Sequence, residues 1–293
     1  MNEVNKNQSL LSLAELETTL RDDLNQYARS HCYALLDAAQ IPDLADEMRR
    51  GALRNLPCLS LFSEAPEENG NGRDAAPYLF HLSAGPDSHC AIAYTAQKAL
   101  ETYAVSWLIS PLNMSVLAKR LTQRTEAQLT ENMEVLLRFY DTRILPNLSR
   151  VLSPEQAAMV FGVAHAWRYA DRAGQLQSCE CQFADEDAFS APLEFNQTQE
   201  NKLTALAFPD AVLEQLHDGQ SDLMTSMNRA EQHAFVARQI TKLNVMGIES
   251  MPEILIYCVL ALAEGENFAE RMPWKEKMDA IKAGNGSLDG LGT

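Results

Sequence analysis

The chain has 293 residues, of which 46% are hydrophobic and 22% are charged, a composition typical of an ordered globular protein. Its formal net charge of −16 disfavours duplex nucleic acid or an anionic membrane as the main partner, because both bind basic surfaces. The first residues are polar and the longest apolar run, over 254–263, is too short to cross a bilayer. We therefore predict no secretion signal, no membrane insertion and a cytoplasmic protein.

Through the first 184 residues, short apolar runs alternate with amphipathic stretches. In chain order, the predicted elements are a helix over 10–29, a strand over 32–36, a helix over 42–54, a strand over 58–62, a loop over 64–74, a strand over 77–83, a helix over 89–102, a strand over 105–110, a helix over 113–124 and a strand over 135–140. Ser153-Pro-Glu-Gln156 has the form of a capping box for a helix that ends at Phe161, and 166–171 with 176–183 forms a predicted hairpin. This alternation predicts an α+β or α/β lobe over 1–184, in which helices flank a mixed sheet.

The composition changes near residue 184, because 178–201 contains six acidic residues and no Lys or Arg. We interpret 185–197 as an acidic linker. No strand is predicted beyond it, since 208–216, 229–245 and 251–263 suit helices, the last of them behind a second capping box at Ser250-Met-Pro-Glu253. We expect an all-α lobe over 198–282 and a flexible tail over 283–293.

The sequence contains no Gly-x-Ser-x-Gly elbow, no phosphate-binding loop that ends in Gly-Lys-Ser/Thr and no dinucleotide fingerprint. His31-Cys32, His89-Cys90 and Cys179-Glu-Cys181 lack the ligand spacing of common metal sites, and the six cysteines are predicted to be reduced thiols. Paired carboxylates such as Asp22-Asp23 and 185–187 are interpreted as solvent-exposed. We expect no catalytic residue, no cofactor and no metal ion.

The strongest local signal is Arg138-Phe-Tyr-Asp141, followed by Arg143, where the predicted strand 135–140 ends. An arginine can bind a carboxylate through two hydrogen bonds, and Asp37 ends another predicted strand. Two interpretations stay open: a structural clamp, formed by Asp37 with Arg138 or by a pair that includes Arg143, or a site for a ligand or partner. Alternatively, Asp141 caps the helix that follows it.

Several segments of the first lobe occur in a characteristic order. They are 33–40 with Asp37, 59–62, 77–82, 107–110 beginning at Trp107, 138–141 with Arg138, Tyr140 and Asp141, then Arg143 and Leu145, and finally Phe161-Gly162 ahead of Trp167. In this order and spacing they resemble the type VI secretion effector-adaptor (effector chaperone) family. The aromatic residues among them are predicted to lie in the core.

The resemblance implies a cytosolic, non-catalytic protein of a Gram-negative bacterium, which binds one cognate toxic effector and helps to load it onto the secretion spike. The implied partners are the effector and, as a second candidate, the spike protein. The first lobe would be the scaffold, and the helical lobe is a hypothesis for effector specificity. Two alternatives stay open: a structural or accessory subunit of a secretion or phage-like assembly, and an enzyme with a strand-end site around Asp37, Arg138 and Asp141.

Overall fold

The computed structural model describes residues 10–62, 76–82, 86–283 and 288. The chain divides into two compact units, Met1–Leu203 and Thr204–Thr293. The predicted loop 64–74 lies outside the described residues, as does the predicted tail apart from Ala283 and Leu288.

An α+β fold is confirmed, with the strands in the first unit and helices in the second. The strands of the described residues are β1 His31–Asp37, β2 Cys58–Ser60, β3 Pro77–Leu82, β4 Val105–Ser110, β5 Glu126–Gln128, β6 Glu134–Leu136, β7 Ala166–Ala170, β8 Leu176–Cys179 and β9 Leu193–Glu194. The α-helices are α1 Leu13–Gln26, α2 Leu44–Arg50, α3 Pro86–Glu101, α4 Met114–Gln123, α5 Leu145–Val151, α6 Pro154–Phe161, α7 Gln197–Gln220, α8 Arg229–Asn244, α9 Met251–Glu264 and α10 Trp274–Lys282.

The main sheet has six strands in the order β2-β3-β1-β4-β7-β8, and each neighbouring pair is antiparallel. The predicted hairpin is confirmed as β7 and β8. The predicted capping box is also confirmed: the Ser153 hydroxyl accepts the Gln156 N–H, and the Gln156 side chain accepts the Ser153 N–H.

Helices cover both faces of this sheet. On one face, α1 and α3 pack on Trp107 and the alternate residues of β1, because side chains along a strand point to opposite faces in turn. On the other face, Trp167 lies edge-to-face against Phe139 and against Phe161 of α6. Trp107 and Trp167 are both fully buried, so the core continues on both sides of the sheet.

The predicted strand 135–140 is wrong in its extent. Only β6 pairs in this region, and it belongs to a second sheet in the order β6-β5-β9. β5 pairs antiparallel with β6 and parallel with β9. After β6 the chain turns, because Phe139 packs against Trp167 instead of continuing along a sheet. Tertiary packing here overrides the strand propensity of an apolar run.

Residues 185–197, predicted as a linker between the lobes, are part of the first unit and pack within it. β9 pairs with β5, Phe189 is buried and the Asp187 carboxylate binds Arg124. The division between the units instead falls inside α7.

The second unit is helical and has its own core around α8 and α9, which includes Phe235, Tyr257 and Phe268. The capping box predicted at Ser250 is wrong, because the Ser250 hydroxyl donates to the Glu253 carboxylate at 2.6 Å and caps no backbone N–H. Leu288, from the predicted tail, is buried in this core. Within the described ranges, no helix has the length and apolar character needed to cross a bilayer.

Candidate functional site

The segment that follows β6 forms a compact turn. The Leu137 N–H donates to the Thr125 carbonyl at 2.7 Å, which extends the pairing of β5 and β6 by one step. The Asp141 N–H then donates to the Arg138 carbonyl, and the Thr142 N–H donates to the Tyr103 carbonyl at 2.8 Å. The Thr142 bond fastens the turn to the loop before β4. We call residues 137–143 together with Asp37 the junction.

Asp37 and Arg138 meet at the end of β1. Arg138 Nη2 donates to Asp37 Oδ2 at 2.8 Å. The Asp37 carboxylate is fully buried and also accepts the Ala39 N–H at 3.2 Å and the Gln40 side-chain amide at 2.9 Å. A buried carboxylate is stabilised only when it is paired and hydrogen-bonded, and three donors meet that requirement here. The pair expected from the sequence is therefore present, although it joins β1 to a turn and not to a second strand.

Asp141 pairs with Arg143 inside the turn itself. Its carboxylate accepts the Arg143 backbone N–H at 2.9 Å, Arg143 Nε at 3.0 Å and Arg143 Nη2 at 2.6 Å. The alternative that Asp141 caps the next helix is wrong, because α5 begins at Leu145 without a side-chain cap. The Asp141 main-chain carbonyl, not its carboxylate, accepts the Leu145 N–H at 3.0 Å.

The aromatic residues of the motif tie the junction to the main sheet. Phe139 contacts Tyr140 and Trp167 edge-to-face, with ring centroids 5.7 and 5.8 Å apart. Trp167 Nε1 donates to the Ser106 hydroxyl at 3.0 Å, and Trp107 Nε1 donates to the Thr95 hydroxyl at 3.2 Å on the opposite face. Both indole donors are thus satisfied inside the core.

Tyr140 lies beside the Asp37–Arg138 pair. The Arg138 guanidinium carbon is 5.9 Å from the Tyr140 ring centroid. Burial, followed by the negative charge of Asp37, raises the pKa of Tyr140 to about 12. The phenol is therefore neutral at physiological pH and contributes no charge to the junction.

The structure places every motif residue predicted from the sequence in this region or in the adjoining core. Asp37, Arg138, Tyr140, Asp141 and Arg143 come together, whereas Trp107 lies across the sheet. Both carboxylates bind arginines and backbone N–H groups of the same chain. This geometry holds the end of β1 against the turn.

Two partly buried ion pairs show that the prediction of solvent exposure is wrong for the Asp187 and Asp23 carboxylates. Arg124 donates from Nη2 and Nη1 to the two Asp187 oxygens at 2.6 and 3.1 Å, and Arg168 donates from Nε and Nη2 to Asp23 at 2.9 and 2.8 Å. For Asp23 a signal was available, because it follows Leu16 and Leu20 on the buried stripe of α1.

Arg124 is the more deeply buried of the two arginines. Its Nε donates to the Val160 carbonyl, its Nη2 to the Met159 carbonyl, and its guanidinium carbon lies 4.6 Å from the Phe189 ring centroid. Burial acts to raise the pKa of Asp187, but the hydrogen bonds and charge of Arg124 outweigh it and hold that pKa below its ordinary value. This pair fastens the acidic segment to α4 and α6.

Two surface depressions adjoin the second sheet, and their linings contain no junction residue. One, of about 440 Å³, lies between β2 and α4. The other, of about 340 Å³, is lined by parts of β5 and β6 and by Pro192. Across the described ranges, no group of three or more His, Cys, Asp or Glu side chains is arranged to hold a metal ion.

The fold and the junction define a two-unit α+β protein whose most prominent motif is an ion-paired turn under a six-stranded antiparallel sheet. Residues 32–159 match the model of a family described as a domain of unknown function (DUF4123). The match spans β1 to α6 and includes the whole junction. No curated protein and no solved structure matches the chain.

Proposed function

We propose that this protein is a non-catalytic adaptor that binds a cognate toxic effector in the cytoplasm and helps to load it onto the type VI secretion spike. The observation that carries the proposal is the set of motif segments from 33–40 to Trp167, which resembles the effector-adaptor family. The DUF4123 match over residues 32–159 covers most of those segments.

The geometry of the charged motif residues supports a scaffold role. Asp37 accepts three hydrogen bonds and Asp141 binds Arg143 and its backbone N–H, so each carboxylate is engaged within the chain. A general acid or base instead needs a carboxyl group placed within reach of a substrate proton. An adaptor acts through its surfaces, and the junction supports such a scaffold by holding the turn against the end of β1.

The test is affinity capture of the tagged protein from its native host, with mass spectrometry of the bound proteins and of the secreted proteins. We expect one dominant effector in the bound fraction, and we expect this chain to be missing from the secreted fraction. Recovery of this chain among the secreted proteins would favour a structural subunit. Capture of no stable protein partner would contradict the adaptor.

A further inference from the structure

Among the residues that the structure describes, the second sheet has one covered edge and one open edge. At β9, the Gln156 side-chain amide donates to the Glu194 carbonyl at 2.8 Å and so occupies that edge. At β6, the bonds from Leu137 N–H to Thr125 and from Leu129 N–H to Met133 place the odd-numbered residues toward β5. The main-chain groups of Glu134 and Leu136 therefore point away from the sheet.

Within the described residues, these outward groups have no hydrogen-bond partner. The side chains beside them are exposed as well, since Leu136 is 52% and Met133 57% accessible. An open, apolar strand edge is a template for pairing with another chain. The depression of about 340 Å³ lies directly along this strand.

The hairpin that carries the edge is held in a demanding backbone conformation. Glu131 and Asn132 are both left-handed, with φ of 62° and 59°. The Glu200 carboxylate fixes the turn by accepting the Thr130 N–H at 3.2 Å and the Thr130 hydroxyl at 2.6 Å. A left-handed glutamate is uncommon, and the contacts of Glu200 with Thr130 help to hold the turn that leads into β6.

The outer face of this sheet is acidic. The registers place Glu126, Glu134 and Glu194 on the same face, together with Leu136 and Gln128. In the part of the chain that the structure describes, none of the three glutamates forms an ion pair. Like charges on one face of a sheet repel each other, which leaves this face complementary to a strand that carries Lys or Arg.

We infer that β6 is a docking edge for an extended segment of another protein, which adds as a further strand and alternates basic and apolar residues. Its main chain would bond to Glu134 and Leu136. Its Lys or Arg side chains would lie on the acidic face, and its apolar side chains would lie on the opposite side, near Met133 and Val135. Only the identification of that segment with the effector rests on the proposed function.

The test uses a labelled heptapeptide in which Lys and Val alternate, and fluorescence anisotropy with the full chain at low salt. A peptide of the same composition, with its four Lys grouped before its three Val, is the control for charge alone. We expect the alternating peptide to bind at least about tenfold more tightly than the grouped one, because only it matches the two faces of a strand. Equal affinity for the two peptides would overturn the inference.

Two variants distinguish the contribution of the outward main-chain N–H of Glu134 from that of its carboxylate. Glu134→Gln and Glu134→Pro remove the same carboxylate, but the proline also removes the outward N–H and places its ring at the edge. Glu134 gives no N–H to β5, and Met133 has φ −77° and ψ 111°, which suits a residue before proline. We expect Glu134→Pro to bind the alternating peptide at least about tenfold more weakly than Glu134→Gln. Equal binding by these variants would contradict strand addition.

Hydrogen exchange of the unaltered protein gives a second measurement that needs no variant. The Glu134 and Leu136 amides should exchange rapidly in the free protein and at least about tenfold more slowly with the alternating peptide bound. Unchanged exchange at both amides would overturn the inference. Self-association that Glu134→Pro abolishes would also overturn it, since a second copy would then be the occupant. Neither failure touches the adaptor proposal, which the capture experiment tests separately.

Discussion

We expect the ion pair between Asp37 and Arg138 to contribute measurably to the free energy of unfolding. Removing the guanidinium with Arg138→Ala deletes one charge-assisted hydrogen bond to a fully buried carboxylate. Such bonds contribute about 1.5–3 kcal/mol when buried. Because the Arg138 side chain is 40% exposed, solvent screens part of that contribution, and we expect a loss of about 1–2 kcal/mol.

The same substitution should cost much less when Asp37 is already neutral. Asp37→Asn keeps the shape of the side chain and removes the charge that Arg138 faces. In that background we expect Arg138→Ala to cost no more than about 0.5 kcal/mol. An equal cost in both backgrounds would refute the clamp. Arg54→Ala, at an exposed arginine, is the matched control and should change stability by less than about 0.5 kcal/mol.

Urea unfolding followed by tryptophan fluorescence measures these differences, since the shift of the midpoint gives the change in free energy of unfolding. Trp107 and Trp167 both lie in the core of the first unit, whereas Trp274 begins α10 in the second. A Trp274→Phe background therefore restricts the signal to the first unit. If Arg138 instead serves a partner, Arg138→Ala will abolish partner binding while leaving the midpoint unchanged.

Four further predictions concern other parts of the molecule. Arg124→Ala removes two hydrogen bonds and the nearest positive charge from the partly buried Asp187 carboxylate, which keeps the Phe189 N–H and a longer ion pair with Arg120. We expect a loss of about 2–4 kcal/mol in urea unfolding, and a loss below about 1 kcal/mol would contradict a stabilising pair. The pKa of Asp187 is lower in the folded protein than in the unfolded chain, so its ionised carboxylate stabilises the fold above about pH 4. This stabilisation is lost as the pH falls through the folded pKa. Asp187→Asn should remove this pH dependence of the melting temperature. Glu131→Gly should leave the melting temperature unchanged or raise it, whereas Glu131→Val should lower it, because a β-branched residue tolerates the left-handed conformation least. The reverse order of melting temperatures would show that residue 131 does not adopt this conformation. A thiol reagent at pH 8 should label exposed Cys90 within minutes but should label Cys258 only on unfolding, because burial raises the pKa of Cys258 to about 12. Equal labelling rates of the two cysteines, measured by mass spectrometry, would contradict the fold of the second unit.

The elements of the main sheet were predictable from the sequence because local pattern and tertiary structure agree there. The run over 32–36 lies between His31 and Asp37 and becomes β1, and the run over 105–110 ends before Pro111 and becomes β4. The prediction of a strand over 135–140 is wrong in its extent, because Val135 and the residues after it have strand propensity, whereas β6 ends at Leu136 and Phe139 packs on Trp167. Local sequence does not contain that long-range contact.

The junction was partly predictable for a similar reason. The Asp37–Arg138 pair joins residues 101 positions apart, and it was suggested only because both lie where apolar runs end. The Arg124–Asp187 pair was not predictable, since Asp187 is one of three successive acidic residues and nothing local distinguishes it from its neighbours. Asp23 was predictable from its position on the buried stripe of α1, and that signal was outweighed by its acidic neighbour Asp22.

The adaptor role is tested most directly by deleting the gene in the native host and quantifying the secreted proteins by mass spectrometry, with the intact gene restored as the control. We expect one effector to disappear from the secreted fraction while secretion of the remaining proteins continues, and we expect restoration of the gene to recover that effector. Loss of all secretion would identify a structural subunit of the apparatus. Unchanged secretion of every effector would contradict the adaptor.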